Sequence, residues 1–373
     1  MQLRGARRRL LGWSAWLLMA AAPGGGVAPA RADNYVTVRG AYYRETSTRV
    51  VQPVVEVAGD LPGGFDLTAQ YLLDAITSAS VAAGTSADSI FTELRNEVGL
   101  RGGWTGERGR ITLGYRYSAE SDYWSHGLAA SGSLRLWGDS ATLAGTLGVS
   151  FDGAWPRTRT PDCPGADQQM CRLRSYFTGV SYTQVWSPTL VSQLTVEGSY
   201  LDGYQASLYR AVPNLGPEVL PLTRLRGVLT PRVAYYLPRT STGFQLHYRY
   251  YRDDWGVSAH MVEGRVYQNL TRDLEVRASY RYYSQLPADF WCDWMRDPGC
   301  YQGAVVYTAD PKLQAVATQM PELKLVWDAV QLRSVPFLGW FAEGSFEISY
   351  ARLIQNTVFG NAHLLQMGYT LPY

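Results

Sequence analysis

Charged residues at every second position carry the most conspicuous chemistry in this chain. Glu93, Arg95, Glu97 and Arg101 share one parity, as do Arg116 and Glu120, Glu263 and Arg265, and Glu275, Arg277 and Arg281. Arg135, Arg249, Glu343 and Glu347 continue the pattern, and Glu197 belongs with them. In an extended segment successive side chains point to opposite faces, so each set occupies a single face. Opposed acids and bases around a water-filled passage would set an electrostatic field for a moving ion. The same residues paired to one another would fill and close that passage. The sequence leaves both readings open.

Other constellations are thinner. Ser258-Ala-His260 puts a hydroxyl and an imidazole on one face of an extended segment, with Val262, Gly264 and Val266. A nucleophile and base also need an orienting third group, and none is visible, so no catalytic residue is assigned and no enzymatic reaction is expected. His126 and His247 are placed in the lumen or at its rim. Asp122, Asp253, Asp254 and Asp310 lie in acidic, turn-forming stretches that could meet at a divalent cation, but such stretches commonly form turns without one. No metal or cofactor is assigned.

Cys163 and Cys171 are eight residues apart, and so are Cys292 and Cys300. Neither pair has the close spacing of a zinc knuckle. In an exported protein, short separation makes the local partner the one met first, giving Cys163–Cys171 and Cys292–Cys300 disulfides.

Export is itself legible. Arg4, Arg7, Arg8 and Arg9 precede an apolar run, Leu10 to Ala22, and Ala30-Arg31-Ala32 offers a small-x-small cleavage site. Residues 1–32 thus read as a signal peptide and 33–373 as the mature chain. The leader holds five arginines (Arg4, Arg7, Arg8, Arg9, Arg31) and no acid, so the formal charge of +2 becomes +2 − 5 = −3 after cleavage. That balance gives no footprint for nucleic acid.

The elements that must position the charges are strands. Phe65–Leu73, Ile111–Tyr117, Leu143–Phe151, Phe244–Tyr250 and Leu274–Tyr282 alternate apolar with polar residues in runs of about the length a tilted strand needs to cross a bilayer. No later run is apolar and long enough for a transmembrane helix. Aromatics make up 13% of the chain, with 26 tyrosines and 12 tryptophans. Trp104, Trp137, Trp186 and Trp340 fall beside short turns, while Tyr42, Tyr71, Tyr117, Tyr200, Tyr250, Tyr282 and Tyr350 fall at the opposite strand ends. Two aromatic girdles at headgroup level are expected of such sorting. The fold class is all-β: a transmembrane antiparallel β-barrel of about 16 strands, with about 14 to 18 as the range. Its long extracellular loops are 153–173, 201–222 and 284–319. A short turn is placed near Ser334–Leu338 between strands at 320–333 and 339–351, and a further hairpin is possible within 302–319. Both termini are expected in the periplasm, with outer-membrane lipid around the barrel.

Leu365, Met367, Tyr369, Leu371 and Tyr373 share the parity of the last residue. This ending resembles the C-terminal signal by which bacterial outer-membrane barrels are recognised, which implies barrel-insertion machinery as a partner. The stretches Tyr71–Ser80, Tyr117–Tyr123, Leu201–Gln205, Tyr248–Gly256 and Tyr307–Leu313 together resemble an uncharacterised bacterial outer-membrane β-barrel family, domain of unknown function family 3570. The resemblance implies compartment and fold but no activity. Two functions follow as expectations. One is a porin-like channel for small polar solutes, with Arg95, Glu97, Arg116, Glu120, Arg249, Glu263, Arg277 and Arg281 lining the lumen. The other is a closed barrel whose disulfide-tied loops bind an envelope partner or ligand.

Overall fold

Alternation of large apolar side chains with small or polar ones drives most of the described chain into strands. The computed structural model describes residues 34–373 except 47, 79–90, 156–162, 164–169, 208–210, 213–214, 294–296, 298 and 358. The signal peptide expected over 1–32 lies outside the described residues, as do parts of the three long loops. The strands are β1 (Tyr35–Arg44), β2 (Thr48–Leu61), β3 (Phe65–Ser78), β4 (Phe91–Thr105), β5 (Gly109–Ala119), β6 (Tyr123–Leu136), β7 (Ala141–Ala154), β8 (Cys171–Ser187) and β9 (Leu190–Gly203). They continue with β10 (Ala211–Val212), β11 (Gly216–Pro217), β12 (Thr223–Leu237), β13 (Thr242–Asp253), β14 (Ser258–Asn269), β15 (Leu274–Gln285), β16 (Val316–Asp328), β17 (Ser345–Gln355) and β18 (Ala362–Pro372).

All but β10 and β11 form one closed antiparallel barrel of 16 strands, each paired with its neighbours in sequence. The barrel is completed by β1 against β18, from Tyr35 opposite Pro372 to Arg44 opposite His363. Closure leaves no edge strand, so every ladder hydrogen bond is satisfied within the wall, as a hydrocarbon surrounding requires. No described helix is long and apolar enough to cross a membrane; the crossing is made by strands.

An even strand count puts both chain ends at one rim, the terminal rim. There β2–β3, β4–β5, β6–β7, β8–β9, β12–β13 and β14–β15 join through two to four residues. In the β2–β3 turn Gly63 and Gly64 both have φ +81°, and a Cβ on Gly64 would stand 2.7 Å from the Thr105 carbonyl oxygen, so glycine is required there. The opposite rim carries the long connections and is the loop rim.

One terminal-rim connection departs from the expectation. β16 ends at Asp328 and β17 begins at Ser345, so residues 329–344 form a long connection with two short 3₁₀ turns, Val330–Ser334 and Gly339–Phe341. The expected strands 320–333 and 339–351 were therefore placed too far into this connection. Period-two alternation fails there, and Pro336 has no N–H to give a ladder. Instead Phe341 folds onto the outside of the wall, with ring centroids 5.4 Å from Tyr369 and 6.3 Å from Phe346, and Tyr369 donates a hydrogen bond to its carbonyl. The further hairpin considered for 302–319 does not form either: β16 takes up 316–319, and the small extra hairpin is β10–β11, inside the 204–222 loop.

Residues of one parity on each strand are the exposed large apolar ones. Leu67, Val98, Leu113, Leu128, Leu147, Val180, Val196, Leu246, Leu323 and Met367 are representative. They make the outer, lipid-facing band. Trp104, Trp137, Trp186 and Trp340 are exposed on this side near the terminal rim, and Tyr71, Tyr117, Tyr200, Tyr282 and Tyr350 near the loop rim. These are the two girdles the sequence predicts, where amphipathic rings meet headgroups.

Candidate functional site

The opposite parity faces the lumen and holds the charges. Glu263 on β14 lies between two guanidinium groups: Arg281 Nε on β15 donates to it at 2.8 Å, and Arg265 two residues along its own strand donates as well. Glu263 is only 2% exposed. His247 on β13 is its register partner, and Arg232 on β12 is the partner of His247, so three guanidinium groups gather round one carboxylate. Further round the wall Glu347 accepts from Lys324 at 2.7 Å and lies 3.4 Å from Arg39. Arg277 pairs with Glu275, Arg95 with Asp74, and Arg110 with Asp66 at 2.7 Å.

Two pairs are looser and wetter. Arg116 stands 3.6 Å from Glu97, and Arg249 stands 3.7 Å from Glu197 with its side chain 46% exposed. An inward-pointing side chain with that exposure faces open lumen. The wall is not uniformly charged. β6 and β7 turn Gly127, Ala129, Ser131 and Ser133, and Thr146, Gly148 and Ser150, to the inside. Towards the strand ends the same faces carry Tyr123, Arg135 and Asp152, and arginines project inward from β4 and β5 and from β12 to β15.

The structure thus places Arg95, Glu97, Arg116, Arg249, Glu263, Arg277 and Arg281 on the inner face. Glu120 differs: it lies in the 120–122 turn at the loop rim. Glu343 sits in the 329–344 connection, exposed and 3.5 Å from Arg333. Arg39, Asp66, Asp74, Arg110, Arg224 and Lys324 join the inner set although sequence reasoning did not single them out; their parity against Val38, Leu67, Leu73, Ile111, Leu225 and Leu323 was the available signal. His126 turns out on the lipid face at the loop rim, where its Nδ1 lies 2.7 Å from the Tyr115 hydroxyl. His260 likewise takes up Tyr248 at 2.7 Å.

The aspartates do not converge. Asp253 accepts from Arg224 Nε at 2.9 Å, Asp254 from the Leu225 N–H and Asp310 from the Lys312 N–H, three separate local contacts. Asp122 instead joins Glu93 and Glu120, with ligand atoms within 4.8 Å of one another. The Glu120 carboxyl is pushed up to about 6, by burial first and then by Glu93, Asp122 and Asp74, against the pull of Arg95. A raised carboxyl binds its proton more tightly folded than unfolded. Its stabilisation is full below about 4.5 and is lost as pH rises through about 6. Wild type is expected to unfold at lower temperature at pH 7 than at pH 5, and Glu120→Gln to reduce that difference. Parallel pH profiles by heat-modified gel migration would contradict this.

Above the lumen, parts of the loops fold together. The described parts of 204–222, 254–257 and 286–315 share a small core of Leu220, Trp255, Val257, Ala288 and Leu313. Val219 bridges to Tyr307, and buried Glu218 accepts from the Thr308 hydroxyl at 2.9 Å. The disulfides are Cys163–Cys171 and Cys292–Cys300, with Cα separations of 5.5 and 6.5 Å, both at the loop rim.

Residues 74–334 match the family described as "Protein of unknown function (DUF3570)". No curated protein matches the sequence. Among solved structures, CdiB from Acinetobacter baumannii aligns with TM-score 0.53 at 7% identity, over 91% of this chain and 60% of that one. The chain therefore spans about 60% of CdiB's length. OprD of Pseudomonas aeruginosa aligns with TM-score 0.46 at 11% identity, over 91% of this chain and 94% of that one. A bacterial polysaccharide outer membrane secretin gives 0.49 at 8%, over 92% and 100%. What the likeness to CdiB establishes is the architecture of an outer-membrane barrel.

Proposed function

The chain belongs to the DUF3570 family of proteins of unknown function, and from that premise we propose that it is an outer-membrane channel for small polar solutes that performs no catalysis. The carrying observation is the uneven lumen: Arg249 projects into it half exposed, while the middle stretches of β6 and β7 offer small neutral side chains. A barrel wall filled for stability alone would pair its charges tightly all round, as Glu263 does. The orientation that goes with this reading has the terminal rim in the periplasm and the loop rim outside, because short turns gather at the first and long loops at the second. The β18 residues Leu365, Met367, Tyr369, Leu371 and Tyr373 would then serve the insertion machinery.

A second reading has its own observation. The cap formed by the described parts of 204–222, 254–257 and 286–315 is a built surface that a closed barrel would use to hold an envelope partner. Liposome swelling separates the two. Vesicles carrying the folded barrel should swell in isotonic small neutral and charged solutes, at rates that fall with solute size. No swelling from demonstrably folded protein would leave the partner-binding reading.

A further inference from the structure

The outer side of the seam where β1 meets β18 carries a row of basic residues that no lumen function uses. Arg49 on β2 is the register partner of Arg44 on β1, Arg44 of His363 on β18, and His363 of Arg352 on β17. Strand parity puts all four on the face of Val51, Val38, Leu365 and Ile348, and all four are exposed. With strands about 4.8 Å apart, they span about 15 Å. No acid stands among them. Like charges directly across a ladder repel, so such a row is stabilised by an anion.

Its height is set by a repeated device. The Tyr350 hydroxyl lies 2.7 Å from His363 Nδ1. The same contact joins Tyr71 to Asn96, Tyr115 to His126, Tyr248 to His260 and Tyr280 to Gln319, at 2.7–2.9 Å. In each, an outward tyrosine reaches a polar side chain two residues nearer the loop rim on the next strand. Five such contacts mark where the apolar band ends and headgroups begin. The basic row therefore sits at headgroup level. Directly below it run Val51, Tyr42, Leu365 and Tyr350, then Pro53, Gly40, Met367 and Ile348. A Cβ on Gly40 would meet nothing within 4 Å, so the outer face is open at this position, without a side chain standing on it.

We propose that this seam binds the phosphorylated headgroup of an outer-leaflet glycolipid. Arg44, Arg49 and Arg352 take the phosphates through charge-assisted hydrogen bonds, His363 adds Nε2, and an acyl chain lies on the apolar face below them, over Gly40. The site rests on the orientation given above, with the loop rim outside, and not on the lumen conducting.

The folded protein in detergent is mixed with bisphosphorylated lipid A, with the same lipid stripped of phosphate, or with phosphatidylglycerol, and bound lipid is read by native mass spectrometry. Bisphosphorylated lipid A should be retained at least tenfold more than the stripped form. The combined variant Arg44→Gln, Arg49→Gln, Arg352→Gln should lose that preference while its heat-modified migration stays normal. Arg172→Gln with Arg174→Gln, an outward pair on β8 away from the seam, should keep it. Equal retention of the two lipid A forms, or full retention by the triple variant, would overturn the site. Preference for phosphatidylglycerol would overturn it together with the orientation. A barrel silent in conductance but selective for the phosphorylated lipid would leave the site standing and remove only the channel.

Discussion

Glu263→Gln is expected to destabilise the barrel by about 3–5 kcal/mol, the cost of leaving a buried charge cluster without its counter-charge. Gln keeps the shape, so packing is not what changes. What is lost is the one carboxylate held by Arg281 at 2.8 Å and by Arg265, with Arg232 and His247 behind them in the ladder. Three guanidinium groups would then face one another in a wall that excludes water. The comparison that isolates burial is Glu275→Gln. Its pair with Arg277 is partly solvated on both sides, and such pairs contribute about 0–1 kcal/mol. Outer-membrane barrels unfold slowly, so the measurement is the temperature at which the compact gel band converts to the unfolded one at a fixed heating time. Equal conversion temperatures for the two variants would show that Glu263 is not the counter-charge of this cluster.

Arg249→Glu is expected to give the largest change in ion selectivity of any single lumen substitution. Arg281 is tucked against Glu263 and Arg277 against Glu275, so reversing either acts first on the wall. Arg249 is loosely held by Glu197 at 3.7 Å and reaches into the lumen. At about 10 Å in water one unit charge is worth about 0.4 kcal/mol. Reversal changes the charge by two and acts oppositely on anions and cations, so the permeability ratio should move about tenfold towards cations. The reversal potential across a salt gradient reads this directly, best at about 0.01 M, where the Debye length is about 30 Å. An unchanged reversal potential would put the constriction away from Arg249.

Much of this architecture was legible because a strand declares its two faces in its own residues. Phe65-Asp-Leu-Thr-Ala-Gln-Tyr71 shows which side meets lipid before any partner strand is known, and sixteen such segments close into a barrel. The 329–344 connection was not legible, because its apolar residues fall on both parities and its Phe341 packs onto Tyr369, far along the chain. Pairings across the wall were also hidden. Parity puts Glu263 and Arg281 inside, but only ladder register makes them neighbours. The basic row at the seam is the extreme case, since Arg44 and His363 become adjacent only when the two ends of the barrel join.

The most direct measurement is single-channel conductance of the purified, refolded protein in a planar bilayer. The channel reading predicts stepwise openings whose size scales with salt concentration and whose selectivity moves towards cations in Arg249→Glu. A silent bilayer, with protein shown to be inserted and folded by heat-modified migration, would contradict it and leave the loop cap as the functional surface.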